Sequence, residues 1–374
     1  TVIVDTYEAS PFKDMGTSNP NGSQRYYIGH VDWTGVNGLI EYTGSDKFSA
    51  VLQMGTSSQK YQWEGFYTAA PSTLSRKITV DGGYIKGGAN YRANDSSNFF
   101  FNVGQIMRPP SFDGVFPNAD YDFEEADEIL NESFTSFELG YGFRSSNFKG
   151  TINAYHTVWG DRTLRRSTSI DDQGVRIIYS GVEQTHQGIE GEMTWYPSSR
   201  LRVKGMVSLG DWKYTKNFQG DAYFIDNNQP AGTTGTLYLD GVKIGDAAQT
   251  VLYLGFDYKV SSKLSVDLDM MSYDNLHGRF GPLDSEFDSA NNRGSIKLPS
   301  WGTADLGATY SFSLLGYDAR ARLNVNNLFD EEYLSQSQTN FHNDGGRTWN
   351  GINVENNVYF GKGTTWNLGL NINF

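Results

Sequence analysis

Thr364-Thr-Trp-Asn-Leu-Gly-Leu-Asn-Ile-Asn-Phe374 closes the chain. Trp366, Leu368, Leu370, Ile372 and Phe374 fall on one side of this stretch, and Thr365, Asn367, Gly369, Asn371 and Asn373 on the other. Alternation with a period of two marks a β-strand with one apolar and one polar face. An aromatic stands at each end of the apolar side, where a membrane-spanning strand carries its interface aromatics. From Trp366 to Phe374 the apolar side runs roughly 26 Å at ~3.3 Å per residue. Tilted by ~40°, it covers about 20 Å of height, close to the ~25 Å apolar band of an outer-membrane barrel. The stretch predicts a transmembrane strand with Phe374 at the periplasmic rim and Trp366 near the outer one. It points to the outer membrane of a Gram-negative bacterium.

Working outward, the same pattern repeats. Leu264, Val266, Leu268 and Met270 share one side of a run, with Asp267 and Asp269 on the other. Tyr317, Ala319, Ala321, Leu323 and Val325 oppose Asp318, Arg320 and Arg322. Leu201, Val203 and Val207 oppose Arg202 and Lys204, and Leu252, Leu254, Phe256 and Tyr258 share a side. Ser, Asn, Asp and Gly clusters predict short turns at Thr43–Lys47, Asn94–Ser97, Ser145–Asn147, Pro197–Ser199, Ser261–Ser262 and Ser313–Gly316. Between hairpins lie longer segments, expected as loops: about Lys60–Val80, Arg108–Ser133, Asp161–Ser180, Thr215–Ala248, Leu276–Gly302 and Leu328–Lys362. Short turns on one rim and long loops on the other are the habit of outer-membrane barrels. A soluble sandwich also alternates, but its strands are usually ~5–6 residues long, and these runs are about twice that. The count is about thirteen strands from Val36 onward, with a further weak one in Thr1–Ala9 (Val2, Val4, Tyr7). Residues 1–33 are read as an N-terminal strand and loop segment, and 34–374 as barrel.

Composition agrees. A net charge of −13 and a sequence pI near 4.8 argue against nucleic acid as a partner. No Cys is present, so a disulfide framework or thiolate metal site is excluded. No apolar run approaches the ~20 residues of a transmembrane helix, a requirement that barrel strands escape by alternating. Aromatics at 14% and 42 Gly fit long hairpins better than a helical protein. The chain opens at Thr1 without Met or an apolar signal region, which reads as a mature chain or, preferably, a fragment.

Residues with chemistry are scarce. His30, His156, His186, His277 and His342 lie far apart, and none forms the i, i+4 pair of a zinc-protease helix. They read as surface or lumen histidines. Asp120, Asp122, Glu124, Glu125, Asp127, Glu128 and Glu132 could hold a hard cation, but their spacing matches no EF-hand loop and a solvated loop tip is the plainer reading. No catalytic set, metal site or cofactor site is expected. The mid-strand charges Arg202, Lys204, Asp267, Asp269, Asp318, Arg320 and Arg322 say more. Unpaired charges in a dry interior cost several kcal/mol each, so they imply a lumen that is wet or filled by a polar plug. They contact a plug or a passing solute, or are simply solvated and paired along the wall.

Asn324-Val-Asn-Asn-Leu-Phe-Asp-Glu-Glu-Tyr-Leu334 resembles the N-v-x-N-L-F-D-x-x-Y segment near the end of TonB-dependent outer-membrane receptors. Arg108-Pro-Pro-Ser-Phe112 is similar to their R-x-P-x-F, and Glu138-Leu-Gly-Tyr-Gly142 to the strand after it. Gly188-Ile-Glu-Gly-Glu192, Trp195-Tyr-Pro197, Ser208-Leu-Gly-Asp-Trp212 and Gly245-Asp-Ala-Ala-Gln-Thr250 look most like receptors of Bacteroidota. The resemblance runs from about Ile85 to Phe374, whose terminal aromatic also resembles the signal read by barrel-assembly machinery. It implies an all-β, antiparallel transmembrane barrel of 22 strands, of which about 13–14 are present, with an N-terminal plug and a TonB box. Plug and box have no counterpart in these residues, so the expectation is the C-terminal part of the barrel.

The resemblance implies energised import of a scarce or bulky solute, with the lipid bilayer and a TonB-type coupling protein as partners. A surface lipoprotein lid, as in glycan-importing relatives, is a further partner it leaves open. The alternative is a passive porin, with conductance independent of the proton-motive force. An outer-membrane enzyme or adhesin and a soluble β-sandwich lectin are the remaining readings. The first lacks clustered catalytic side chains, and the second would be soluble without detergent.

Overall fold

The computed structural model describes residues 2–3, 27–65, 73–116, 125–126, 129–170, 173–224, 229–281 and 284–373. Among them, thirteen long strands follow one another: β1 Tyr27–Tyr42, β2 Phe48–Gly65, β3 Ile78–Asn94, β4 Ser97–Arg108, β5 Glu132–Arg144, β6 Phe148–Ile170, β7 Gln173–Ser198, β8 Leu201–Tyr214, β9 Thr250–Lys259, β10 Leu264–Asp274, β11 Trp301–Leu314, β12 Tyr317–Asn326 and β13 Thr365–Asn373. Each pairs antiparallel with the next. The result is one continuous meander. Strand β1 starts at Tyr27 rather than Val36, so the division drawn at residue 33 falls inside it.

Across β8 to β13 register puts most of the aliphatic residues on one face. Val325 and Trp366 are partners, as are Leu323 and Leu368, and Ala321 and Leu370. Trp366, Leu368 and Leu370 are 71%, 67% and 59% exposed, so among the described residues nothing packs on this face. Phe374 lies outside the described residues. Aromatics gather on the same face beside the short turns: Tyr42 on Phe48, Phe99 on Tyr141, Phe143 on Phe148 and Tyr310 on Phe312, with ring centroids 5.1–6.1 Å apart. That row matches an interface girdle. The turn from β11 to β12 shows why these connections are tight. Leu315 and Gly316 have φ of 52° and 89°, and Leu314 pairs with Tyr317. Two consecutive positive-φ residues make the turn whose twist suits a two-residue hairpin.

The opposite rim departs from the loop expectations. Segment Asp161–Ser180 is not a loop, since β6 and β7 continue through it as a tall hairpin. Its Val175, Ile177, Tyr179 and Val182 pack with Tyr214, Phe218, Leu237, Leu239 and Phe287. Above the membrane only such a cluster can offset the ordering entropy of ~1–2 kcal/mol per residue, each fully buried side chain supplying ~1.5–3 kcal/mol. Segment Thr215–Ala248 likewise contains the strands Phe218–Phe224 and Pro230–Leu237, and β2 runs on to Gly65. In Arg108–Ser133, Phe112 stacks on Tyr27 at 5.8 Å and Tyr61 Oη donates to the Pro110 carbonyl at 2.7 Å. Of the acidic stretch, Glu125 pairs with Arg76 and Glu132 with Arg108; Asp120, Asp122, Glu124, Asp127 and Glu128 lie outside the described residues.

The loops after β10 and β12 are joined by an ionic latch. Arg293 Nη2 donates to Glu286 at 2.8 Å and Nη1 to Asp344 at 2.6 Å. The Glu286 carboxyl is pulled down to about 2, chiefly by the hydrogen bond from Arg293. Its folded pKa lies below the unfolded value of ~4.3, so the stabilisation is complete above that value and is lost as pH falls towards 2. Hydrogen exchange of residues 284–293 and 340–345 is expected to stay slow at pH 6 and to accelerate progressively below pH 4.5. Protection unchanged down to pH 2.5 would contradict the latch.

Candidate functional site

The polar face carries a row of residues across six strands. By register, Arg202 on β8 opposes Asp257 on β9, Asp257 opposes Asp267 on β10, Asp267 opposes Gly307 on β11, Gly307 opposes Asn324 on β12, and Asn324 opposes Asn367 on β13. Asp257 and Asp267 are like charges directly across a ladder, which is unfavourable alone. Each is compensated from its own side. Arg202 Nε donates to Asp257 at 2.8 Å, and Arg322 Nη2 donates to Asp267 at 2.7 Å. Lys204 lies 3.1 Å from Asp269 and 3.5 Å from Asp257.

Two glycines make this wiring possible. Lys204 crosses over Gly255 to reach Asp269, where the Tyr253 hydroxyl also donates. Arg322 crosses over Gly307 to reach Asp267, donating on the way to Thr309 at 3.0 Å. A Cβ on Gly255 would overlap Tyr253 and Asp269, and one on Gly307 would overlap the Arg322–Asp267 pair. The absent side chains leave a groove in which long cations lie flat along the wall.

Of the seven charges singled out from the sequence, the structure brings together Arg202, Lys204, Asp267, Asp269 and Arg322. Asp318 and Arg320 lie on the same face nearer the turn, exposed and outside any ion pair among the described residues. Sequence reasoning missed Asp257 and Tyr253. Both were visible as the polar positions alternating with Leu252, Leu254, Phe256 and Tyr258. The face is concave. A cavity of about 710 Å³ is lined from β3 through β9 by residues including Asn90, Asn98, Thr151, Glu192, Lys204 and Tyr253.

The Asn324–Leu334 motif acts in the frame rather than at the wall's surface. Asn327, buried and at φ 48°, accepts from Glu331 N at 2.9 Å and donates to the carbonyls of Glu331 and Lys362 at 2.9 and 3.1 Å. Its own N–H donates to Asp305 at 2.8 Å. Asp330 accepts from Thr364 N at 2.8 Å, immediately before β13. The motif pins the entry of the last strand to the top of β11 and β12. Among the described residues no group of His, Asp and Glu is placed to hold a metal ion.

The model of the β-barrel of TonB dependent receptor-like proteins matches residues 5–328. The chain belongs to the TonB-dependent receptor family. No curated protein sequence matches it. Its fold is similar to the siderophore receptor PiuA from Acinetobacter baumannii, at 14% identity and TM-score 0.65, over 92% of this chain and 43% of that one. It is similar also to the FrpB iron transporter from Neisseria meningitidis, at 14% identity and TM-score 0.61, over 92% and 46%. The ferric yersiniabactin uptake receptor FyuA from Yersinia pestis follows, at 12% and 0.59, over 93% and 46%. The chain thus spans less than half the length of these three receptors. TonB-dependent receptors are Gram-negative outer-membrane proteins that serve as receptors and transporters.

The row makes a clear energetic prediction. Asp267→Ala leaves Arg322 half-buried without its partner and is expected to cost ~1–3 kcal/mol. Adding Arg322→Ala should cost less than the sum of the single changes, because neither charge is then stranded. Urea unfolding of the full-length protein in lipid vesicles measures both. Strict additivity would show that the pair contributes nothing.

Proposed function

We propose that this chain is the C-terminal part of the barrel of a TonB-dependent active transporter that imports a scarce or bulky solute. The polar face lines the lumen, with Arg202, Lys204, Asp267, Asp269, Asp318, Arg320 and Arg322 on its wall. The observation that carries the reading is the row from Arg202 to Asn367. It is a water-compatible surface wide enough to span six strands, backed by an apolar face that meets lipid. Such a surface gives a plug something polar to rest on and a solute something polar to slide along. The motif spelling between Gly188 and Thr250 favours a receptor of Bacteroidota type.

In this mechanism the outer loops capture the solute and a TonB-type protein pulls on the plug. The path then opens along the charged wall without covalent chemistry. Paired charges suit that task. Each ion pair is satisfied while the plug is seated, and water can solvate the half-exposed groups when it moves. Full-length protein in planar lipid bilayers is expected to stay closed until urea loosens the plug, and to conduct afterwards. A steady open conductance without denaturant would contradict the proposal.

A further inference from the structure

The lipid-facing side of the sheet ends in charges, towards the long loops. On β8, Val203, Val207 and Leu209 are followed on the same side by Asp211 and Lys213, and the β7–β8 register runs unbroken from Val203 to Tyr214. On β10, Leu264, Val266, Leu268 and Met270 are followed on the same side by Asp274, again without a slip in register. Asp211 and Asp274 close runs of equal length that begin at Leu201 and Leu264, roughly 33 Å long at ~3.3 Å per residue. Tilted by ~40°, such a run rises about 25 Å, the height of the apolar band. Both carboxylates therefore stand at the outer edge of the band, where the headgroups begin. The polar wall lies on the other side, where Lys204 and Trp212 are among the alternating residues of β8.

Three lysines converge on these two carboxylates. Lys213 Nζ lies 3.2 Å from Asp211, and Lys243 Nζ also donates to Asp211. Lys213 and Lys243 face each other across an isolated antiparallel bridge, a like-charge opposition that is unfavourable alone. One carboxylate serves both. Lys297 Nζ lies 2.8 Å from Asp274. The segments that carry these lysines are packed together. A Cβ on Gly245 would overlap the backbone of His277 and Gly278, and Ser295 Oγ donates to the Lys243 carbonyl at 2.8 Å. His277 faces Lys297 across a second bridge. Burial first, and then the Lys243 and Lys297 ammoniums, push its imidazole pKa down, opposed by the Asn275 carbonyl and Asp274. His277 thus adds no charge at neutral pH. The lysines and aspartates are half-exposed, and together they leave one ammonium in excess.

We infer that Lys213, Lys243 and Lys297 form a docking site for the phosphate group of a phosphorylated glycolipid in the outer leaflet of the membrane. A solute moving along the polar wall never meets these lysines, because they stand on the opposite side of the sheet. What lies against them at that height is the headgroup layer. Lysine stems run along apolar surface while their ammoniums stay in the polar layer. An ammonium is a compact point charge with three donors, suited to phosphate oxygens. A phosphate placed between Lys213 and Lys243 relieves their opposition, which Asp211 alone only half offsets. The inference goes beyond import and rests only on the orientation of the barrel, with its long loops outward. Lipid binding is measured on the purified protein without TonB, so its failure and a failure of transport are distinguishable.

The test is native mass spectrometry of detergent-solubilised full-length protein titrated with diphosphoryl lipid A, with the same lipid stripped of its phosphates, and with inorganic phosphate. Saturable binding of diphosphoryl lipid A is expected, with the stripped lipid and inorganic phosphate each at least about 10-fold weaker. The triple variant Lys213→Gln/Lys243→Gln/Lys297→Gln should lose most of this binding, with thermal unfolding as the check on folding. Lys243→Gln alone leaves Asp211 paired with Lys213, and should weaken binding severalfold even if the triple variant fails to fold. Lys263→Gln, an exposed lysine at the short-turn rim, should bind like the unmodified protein. The inference is overturned if the stripped lipid or inorganic phosphate binds as tightly as diphosphoryl lipid A. It is overturned equally if Lys243→Gln and the folded triple variant bind unchanged, or if Lys263→Gln weakens binding as much as Lys243→Gln does.

Discussion

Inside a bilayer no water is available to a backbone N–H or C=O, and each unpaired group costs several kcal/mol. The architecture follows from that constraint. The chain answers it with an unbroken run of antiparallel ladders from β1 to β13. Once the backbone is committed to strands, side chains alternate between two solvents. One face takes most of the Leu, Ile and Val for lipid, and the other takes Asn, Ser, Gly and paired charges, with Tyr253 among them.

The charged row is a consequence of the same geometry. A strand position facing the polar side can hold a charge only if water or an opposite charge is within reach. In the row from Arg202 to Asn367, partners come from strands one and two places away, not from adjacent residues. Gly255 and Gly307 open the floor over which Lys204 and Arg322 reach their carboxylates. These glycines are therefore as much part of the wall as the charges above them. Asn327 and Asp330 serve a different end, holding the entry to β13 so that its ladder to β12 starts in register.

Where side chains obey the period of two, the sequence was readable. All six short turns and thirteen strands follow from alternation and turn chemistry, and five of the seven mid-strand charges fall into one network. Above the membrane the rule that reads strands gives way. The segment from Asp161 to Ser180 mixes polar residues with Val175, Ile177 and Tyr179, which pack against Phe218 and Leu237 from a distant segment. Nothing local announces that partnership. Pairing partners such as Asp257 and Arg202 are 55 residues apart, a relation set by register and not by spacing.

The central claim is that the sheet separates lipid on one face from an aqueous path on the other. The chain has no Cys, so single cysteines can be placed at positions 366 to 371 of the full-length protein, spin-labelled, and read by electron paramagnetic resonance in lipid vesicles. Labels at 366, 368 and 370 are predicted to be accessible to oxygen dissolved in the lipid. Labels at 367, 369 and 371 should instead be accessible to a water-soluble nickel complex. Loss of this alternation, with both faces equally wet or equally buried, would contradict the account.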